Sequence, residues 1–128
     1  MYFEDCVKYI IKHGLYRPAL EVFSNDRVKY LRILTIYAEY LFDRGETEDS
    51  GMLYALAGKR AEAIESYRKS GMWKEAFTLA KEMNFSTSEL KDLAEEFKDE
   101  LVERNLHKEA AQVMLDYAKV SNLIPSLT

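Results

Sequence analysis

Residues 58–76 read GKRAEAIESYRKSGMWKEA, and this segment is the strongest indication of the fold. Gly58 and Gly71 each precede a segment with helical periodicity, and each is followed five positions later by an alanine. Glycine adopts the left-handed conformation that ends a helix, and a small residue lets the next helix cross its neighbour closely. The stretch therefore predicts helices of about ten residues that reverse direction at each glycine.

The same spacing recurs along the whole chain. Short helices are marginally stable alone and need neighbours to cover their apolar faces, as in a helical-repeat array. The intervals between the reversals are irregular, so this is not a strict tetratricopeptide repeat. We predict an all-α fold, an α-solenoid of tetratricopeptide-like helical hairpins with about eight helices. The five reversal residues and the small residues five positions after them are Gly14 and Ala19, Gly45 and Ser50, Gly58 and Ala63, Gly71 and Ala76, and Asn105 and Ala110.

Capping signals predict several helix boundaries. Asn25 or Asp26 is expected to cap a long third helix that ends at Gly45. Ser86 and Glu89 match a capping box, in which each side chain accepts a hydrogen bond from the backbone N–H of the other residue. Between these two long helices, the periodicity predicts shorter ones at about 47–57, 60–70 and 73–83.

The helical pattern stops at Val120, and Ile124-Pro125 cannot continue a helix. We predict that residues 1–120 form one helical-repeat segment and that residues 121–128 form a non-helical tail. Because this tail starts no further repeat, we expect the chain to be a truncated piece of a longer protein.

Composition and charge exclude several classes of protein. Apolar residues make up 48% of the 128 residues and charged residues 31%, which is typical of a folded domain. The net charge of −4 is opposite in sign to that of a typical nucleic-acid-binding surface. Cys6 is the single cysteine, so no intrachain disulfide can form. There is no signal peptide and no apolar run of about 18 residues, which predicts a cytoplasmic location, with the nucleus as a second compartment.

An ordered series of residues is more specific than the repeated spacing. It consists of Tyr37-Ala38-Glu39-Tyr40-Leu41, Ser50-Gly51-Met52-Leu53-Tyr54, Ala57-Gly58, Glu62-Ala63-Ile64, Gly71-Met72-Trp73-Lys74-Glu75-Ala76 and Asn84-Phe85-Ser86. The series resembles the C-terminal helical-repeat region of the largest, scaffolding subunit of the Elongator complex. The resemblance covers about residues 2–120, and Ser50 departs from it because that family usually has alanine there.

The resemblance implies a function without catalysis in this segment. The parent protein would carry two N-terminal β-propellers and this solenoid, and would scaffold a complex that modifies the wobble uridine of certain tRNAs. The chemistry would belong to a different subunit, and the tRNA-interacting segment would lie outside this chain. Other Elongator subunits are the implied partners, with a homodimer through the C-terminal solenoid and no membrane. We expect a protein–protein interaction scaffold.

No set of residues has the spacing of a catalytic, cofactor or metal site. His13 and His107 lack a cysteine, a second histidine or a carboxylate at metal-ligand spacing. Leu53 stands where a phosphate-binding loop at Lys59 would need its first glycine. We predict that the chain is not an enzyme and holds no cofactor and no metal.

The third predicted helix carries two apolar stripes, whereas an amphipathic surface helix needs only one. Two interpretations remain open. Either the helix is buried on both sides between successive hairpins, or its tyrosine-rich stripe contacts a second protein chain, because tyrosine is favoured at interface cores. The tyrosine-rich stripe consists of Tyr30, Ile33, Tyr37 and Tyr40.

Basic residues around positions 59–74 give an alternative hypothesis about function. Arg68, Lys69 and Lys74 are candidates for phosphate contact, although the helix dipole alone explains Arg68 and Lys69 at the end of their helix. The alternative functions are an RNA-binding helical module that uses these residues, and a solenoid subunit of a vesicle coat or ciliary transport complex.

Overall fold

Helices account for nearly all of the described backbone. The computed structural model describes residues 2–121, and within this range it has no strand. The predicted all-α fold of helical hairpins is confirmed, and the three short middle helices match their predicted bounds to within one residue. The eight helices of the described range are α1 (Tyr2–His13), α2 (Tyr16–Val22), α3 (Arg27–Asp43), α4 (Thr47–Leu56), α5 (Arg60–Ser70), α6 (Trp73–Glu82), α7 (Thr87–Glu103) and α8 (His107–Val120).

The chain divides into two compact units, residues 1–70 and 71–128. The first unit holds α1 to α5 and the second holds α6 to α8, and within each unit successive helices pack against each other. The last helix, α8, ends at Val120. Except for Ser121, the predicted non-helical tail lies outside the described residues, so that prediction and the single segment over residues 1–120 stay predictions.

Left-handed residues follow six of the helices. All five predicted reversal residues have positive φ, and Asn84 is a sixth residue of this kind. Next to Asn105, the amide of Leu106 donates to the carbonyl of Leu101 at 2.8 Å and satisfies an end of α7. Leu106 is also the N-cap of α8, because its carbonyl accepts from the amide of Ala110 at 3.0 Å. One residue therefore closes one helix and opens the next.

The same one-residue connection occurs at Leu15, Glu46 and Lys59. It explains the five-residue spacing, because the small residue is the first one of the new helix whose amide bonds back to the connecting residue. As predicted, these small residues are covered by neighbouring helices, with at most 6% of each exposed. They are Ala19, Ser50, Ala63, Ala76 and Ala110.

In the first unit, α3 is packed on one side by α2 and on the other by α4. Ile33 and Ile36 of α3 belong to a core cluster that also contains residues of α1 and α2. Leu34, Ala38 and Leu41 of α3 are buried as well. This two-sided packing accounts for the presence of two apolar stripes on one helix.

The contact between α4 and α5 is unusually close. A Cβ atom placed on Gly51 would lie 2.7 Å from Cε1 of Tyr67, which is less than a van der Waals contact. Beside it, the Ser50 hydroxyl donates to the carbonyl of Ala38 at 2.9 Å and lies 3.3 Å from the Ser66 hydroxyl. Both serines are fully buried. Hydroxyl contacts of Ser50 thus join α4 to α3 and to α5, and the absence of a side chain at Gly51 lets α4 and α5 approach closely.

The second unit is organised around α7. The predicted capping box is present: the amide of Glu89 donates to Ser86 Oγ at 3.1 Å, and the amide of Ser86 donates to Glu89 Oε1 at 3.0 Å. One face of α7 is buried, and α7 contacts both α6 and α8. The buried residues of that face are Leu90, Leu93, Ala94, Phe97 and Leu101, as the periodicity predicts.

Candidate interaction surfaces

Three tyrosine rings meet where α2 contacts α3. Tyr16, at the start of α2, stacks on Tyr37 of α3 with ring planes 2° apart and centroids 4.9 Å apart. The ring of Tyr40 is also 4.9 Å from Tyr16, tilted by 34°. Residues three apart on a helix share a face, so both rings of α3 reach the same tyrosine. Ring pairs of this kind contribute about 0.5–1.5 kcal/mol beyond the area they bury.

Two arginines hold the hydroxyl groups of this cluster. Arg17 Nε donates to the Tyr37 hydroxyl at 3.4 Å, and Arg44 Nη1 donates to the Tyr40 hydroxyl at 2.8 Å. Arg44 also lies over the Tyr40 ring, and its Nε is 3.5 Å from a carboxylate oxygen of Glu46. A guanidinium group has five N–H donors, so each arginine retains donors for an incoming carboxylate or carbonyl group.

These side chains border a groove of about 540 Å³ on the first unit. Charged side chains of both signs surround apolar ones, and the exposed Met52 adds a flexible contact. Tyrosine, arginine and methionine are enriched at the cores of protein–protein interfaces. We name this surface the tyrosine groove, and its lining consists of Arg17, Leu20, Tyr37, Tyr40, Leu41, Arg44, Glu46, Asp49, Met52 and Leu53.

Two buried tyrosines next to the groove, Tyr16 and Tyr54, keep their hydroxyl protons at physiological pH. Burial raises the pKa of Tyr16 above its ordinary value, and the neighbouring Tyr40 and Glu39 raise it further. Burial likewise raises the pKa of Tyr54 on α4, and Glu39 again adds to the effect. A neutral hydroxyl donates and accepts hydrogen bonds. Because Tyr16 and Tyr54 are buried, the groups that can bond a partner chain are the hydroxyl and guanidinium groups of the groove lining itself.

The four predicted interface residues of α3 lie in different environments. Ile33 is fully buried in the core of the first unit, where no partner chain can reach it, so the interface cannot include it. Tyr30 and Tyr37 are half-buried, and Tyr40 is 37% exposed. Sequence reasoning missed Arg44, although its position four residues after Tyr40 is the spacing of neighbours on a helix.

The three predicted phosphate contacts already have partners in the chain. Arg68 Nη1 lies 3.4 Å from Glu65 Oε2, and the Lys69 ammonium lies 4.9 Å from the centre of the Phe42 ring. The Lys74 ammonium lies 5.6 Å from the centre of the preceding indole ring. The first two belong to the first unit and Lys74 belongs to the second. Phosphate contact by these residues stays a prediction.

His13, His107 and Cys6 lie in three different local environments. The His13 ring lies 4.4 Å from the Tyr9 ring, His107 is exposed at the start of α8, and Cys6 is half-buried on α1. Within residues 2–121, no three histidine, cysteine, aspartate or glutamate side chains are grouped to hold a metal ion. Over the same range, no helix combines the length and the apolar character that crossing a membrane requires.

Known proteins resemble this chain over most of its length. Elongator complex protein 1 of Mus musculus is 30% identical over 118 residues, which are 92% of this chain and 9% of the mouse protein. The protein of that name from Saccharomyces cerevisiae is 29% identical over 114 residues, 89% of this chain and 8% of the yeast protein. The Arabidopsis thaliana protein is 29% identical over 116 residues, 91% of this chain and 9% of its own length.

The chain thus spans about 9% of the length of the mouse relative. The family model for the ELP1 TPR domain matches residues 1–127, and the helical hairpins described above fit an α-solenoid of tetratricopeptide type. Because the match extends over nearly the whole chain, we conclude that this protein belongs to the ELP1 TPR domain family.

Proposed function

We propose that this chain is a non-catalytic scaffold segment of an Elongator complex subunit and that it binds other subunits of that complex. Its family and the names of its relatives support the assignment. On this proposal the segment serves tRNA wobble-uridine modification in the cytoplasm and also in the nucleus. Its place in the C-terminal region of the parent protein rests on the sequence resemblance alone.

The tyrosine groove is the observation that carries the protein-binding part of this proposal. Tyr40 and Met52 offer apolar surface, and Arg17 and Arg44 offer N–H donors beside it. Tyrosine and arginine dominate the binding energy of many protein interfaces because they combine contact area with hydrogen bonding. Tyr30, which is half-buried on the same helix, is proposed to border the contact.

A second copy of the chain is the other proposed partner. The groove carries Glu46 and Asp49 in addition to its two arginines, so it has charges of both signs. A two-fold symmetric interface needs such a self-complementary surface. Direct contact with tRNA is not part of the proposal, because the net charge of −4 repels a polyanion.

The proposal is tested by an affinity pull-down from a eukaryotic extract, in which retained Elongator subunits are identified by mass spectrometry. Tyr40→Glu places a charge in the tyrosine groove, and we expect it to reduce the retained subunits at least tenfold, about 1.4 kcal/mol. The matched control is Tyr9→Glu, which makes the same change at an exposed tyrosine of α1. Equal retention by both variants would show that the groove does not bind these subunits.

Light scattering coupled to size-exclusion chromatography separates the homodimer from the other partners. If two copies bind each other through the groove, we expect the native protein to have twice the mass of a single chain. Tyr40→Glu should then reduce the measured mass to that of one chain, and Tyr9→Glu should leave it doubled. If the native protein has the mass of a single chain, the proposed homodimer through this segment is wrong, and the other subunits remain the proposed partners.

A further inference from the structure

A second groove lies between α6 and α8 in the unit of residues 71–128, and its cavity volume is about 490 Å³. Lys74 and Lys81 of α6 and Lys119 of α8 stand along its walls. The apolar residues of its lining are Trp73 and Phe77, which are almost fully covered, and Val120, which is partly exposed. We name this surface the lysine groove.

The charge of the lysine groove is opposite to that of the protein as a whole. Three lysines and a single carboxylate, Asp116, line it, whereas the chain has a net charge of −4. Asp116 already accepts a hydrogen bond from Gln112 Nε2 at 2.9 Å. Within the described part of the chain, none of the three lysines forms an ion pair. The groove therefore favours a ligand with carboxylate or phosphate groups.

The floor of the groove favours a peptide over a single-stranded nucleic acid. Trp73 is only 8% exposed, its ring packs edge-on against Phe77, and the Lys74 ammonium lies 5.6 Å from its centre. Among the described residues of the lining, no aromatic face is left open on which a base could stack, and stacking is a main source of affinity for single strands. The acidic surface outside the groove also repels a long polyanion. A short peptide needs neither an open ring nor a long basic surface.

The spacing of the lysines sets the spacing of the acidic groups. Lys74 and Lys81 are two helical turns apart on one face of α6, which is about 10.5 Å along the helix axis. A peptide in the polyproline II conformation has three residues per turn and rises about 3.1 Å per residue, so acidic residues three positions apart lie on the same side of it and about 9.3 Å apart, close to this distance. An apolar side chain between them would rest on Val120, which is partly exposed in the lining of the groove.

We propose that the lysine groove binds an acidic segment of a partner protein, in which two carboxylates three residues apart flank an apolar side chain. This site lies in the other unit from the tyrosine groove, and it requires neither that groove nor membership of the Elongator complex. It goes beyond the proposed function because it names a second binding surface and the chemistry of its ligand.

The full chain provides its own reporter for this proposal. Trp73 is the single tryptophan of the sequence and lies in the groove, so its emission reports occupancy directly. The probe is the blocked peptide Ser-Glu-Leu-Ser-Glu-Ser, and the same peptide with glutamine in place of both glutamates is the uncharged control. We expect a saturable change in emission with the acidic peptide alone, weakened by salt. No saturation up to about 1 mM, or equal binding of the two peptides, would overturn the proposal.

Charge reversal within the groove tests its location. The double variant Lys74→Glu and Lys119→Glu should weaken the acidic peptide at least tenfold. The matched control is Lys91→Glu with Lys108→Glu, two exposed lysines of α7 and α8 that do not line the groove and that change the net charge equally. We expect this control to stay within twofold of the native chain. An equal loss in both double variants would contradict a local site.

Two further measurements complete the test. If circular dichroism shows that charge reversal unfolds the chain, the double variant Lys74→Gln and Lys119→Gln is used instead. We then expect a smaller loss of the preference for the acidic peptide over the uncharged one. An oligouridylate with the same number of charges as the peptide is the nucleic-acid probe. Tighter binding of the oligouridylate than of the acidic peptide would show a nucleic-acid surface and would overturn the proposal.

Discussion

The two compact units are stabilised by different kinds of contact. In residues 1–70, α3 is packed on two sides, and α4 meets α5 through a glycine against a tyrosine ring. In residues 71–128, α7 buries one apolar face with large side chains such as Phe97, which is 1% exposed. The stability of the second unit therefore depends on side-chain volume, whereas that of the first depends on how closely the backbones of its helices approach each other.

The largest expected effect comes from removing volume in the second unit. Phe97→Ala should lower the free energy of unfolding by about 3–5 kcal/mol, because it deletes a fully covered ring and leaves a cavity. Urea denaturation followed by Trp73 emission measures it. The control Leu115→Ala, at a residue of α8 that is about half exposed, should cost less than about 1 kcal/mol. Similar losses for both variants would contradict a core centred on α7.

Adding volume in the first unit should have the next largest effect. Gly51→Val places methyl groups where even a Cβ would lie 2.7 Å from Tyr67, and we expect a loss of about 3 kcal/mol. Urea denaturation followed by far-UV circular dichroism measures it. Ala111→Val, at an exposed position of α8, adds the same side chain to a helix and should cost only about 0.5 kcal/mol. If the two variants lost equal stability, the close approach of α4 and α5 would not matter.

The smallest expected effect is a dependence on alkaline pH that originates in the first unit. Tyr16 and Tyr54 have raised pKa values, mainly because they are buried. In the unfolded chain a tyrosine has a pKa of about 10, so as the pH rises the unfolded state loses this proton before the folded state does. The stability that these tyrosines contribute is therefore complete below about pH 10 and falls as the pH rises through the folded-state pKa.

Urea midpoints measured from about pH 8 to pH 12 test this effect, because they cover the ordinary tyrosine pKa. Tyr16→Phe combined with Tyr54→Phe should reduce the alkaline loss of stability relative to the native chain. Tyr9→Phe removes an exposed hydroxyl and should leave the loss unchanged. The assignment would be wrong if the double variant lost stability with pH as steeply as the native chain does.

Helix boundaries were predictable because local chemistry marks them. The reversal at Asn105 and the capping box at Ser86 are written in a few adjacent residues, and the structure contains both. The reversal at Asn84 was missed because Glu89, not a small residue, stands five positions after it. The spacing rule describes one-residue connections, and the link from Asn84 to α7 is longer.

The surfaces were less predictable, because they join residues that are distant in sequence. Nothing near Tyr16 shows that its ring stacks on Tyr37, since that contact depends on how α2 lies on α3. Sequence reasoning also grouped Lys74 with its neighbours along the chain, whereas the fold places it across a groove from Lys119. Periodicity identifies the face on which a residue lies, and only packing identifies what faces it.

The shared residue between helices leaves no spare length at four of the junctions. An insertion next to Leu106 would have to be absorbed by α8, where each added residue turns the helix faces by about 100° and would carry Val113 out of its buried position. The turn around Ser24 and Asn25, between α2 and α3, is longer and exposed. Natural or engineered insertions should therefore be tolerated at that turn and rejected at the tight junctions.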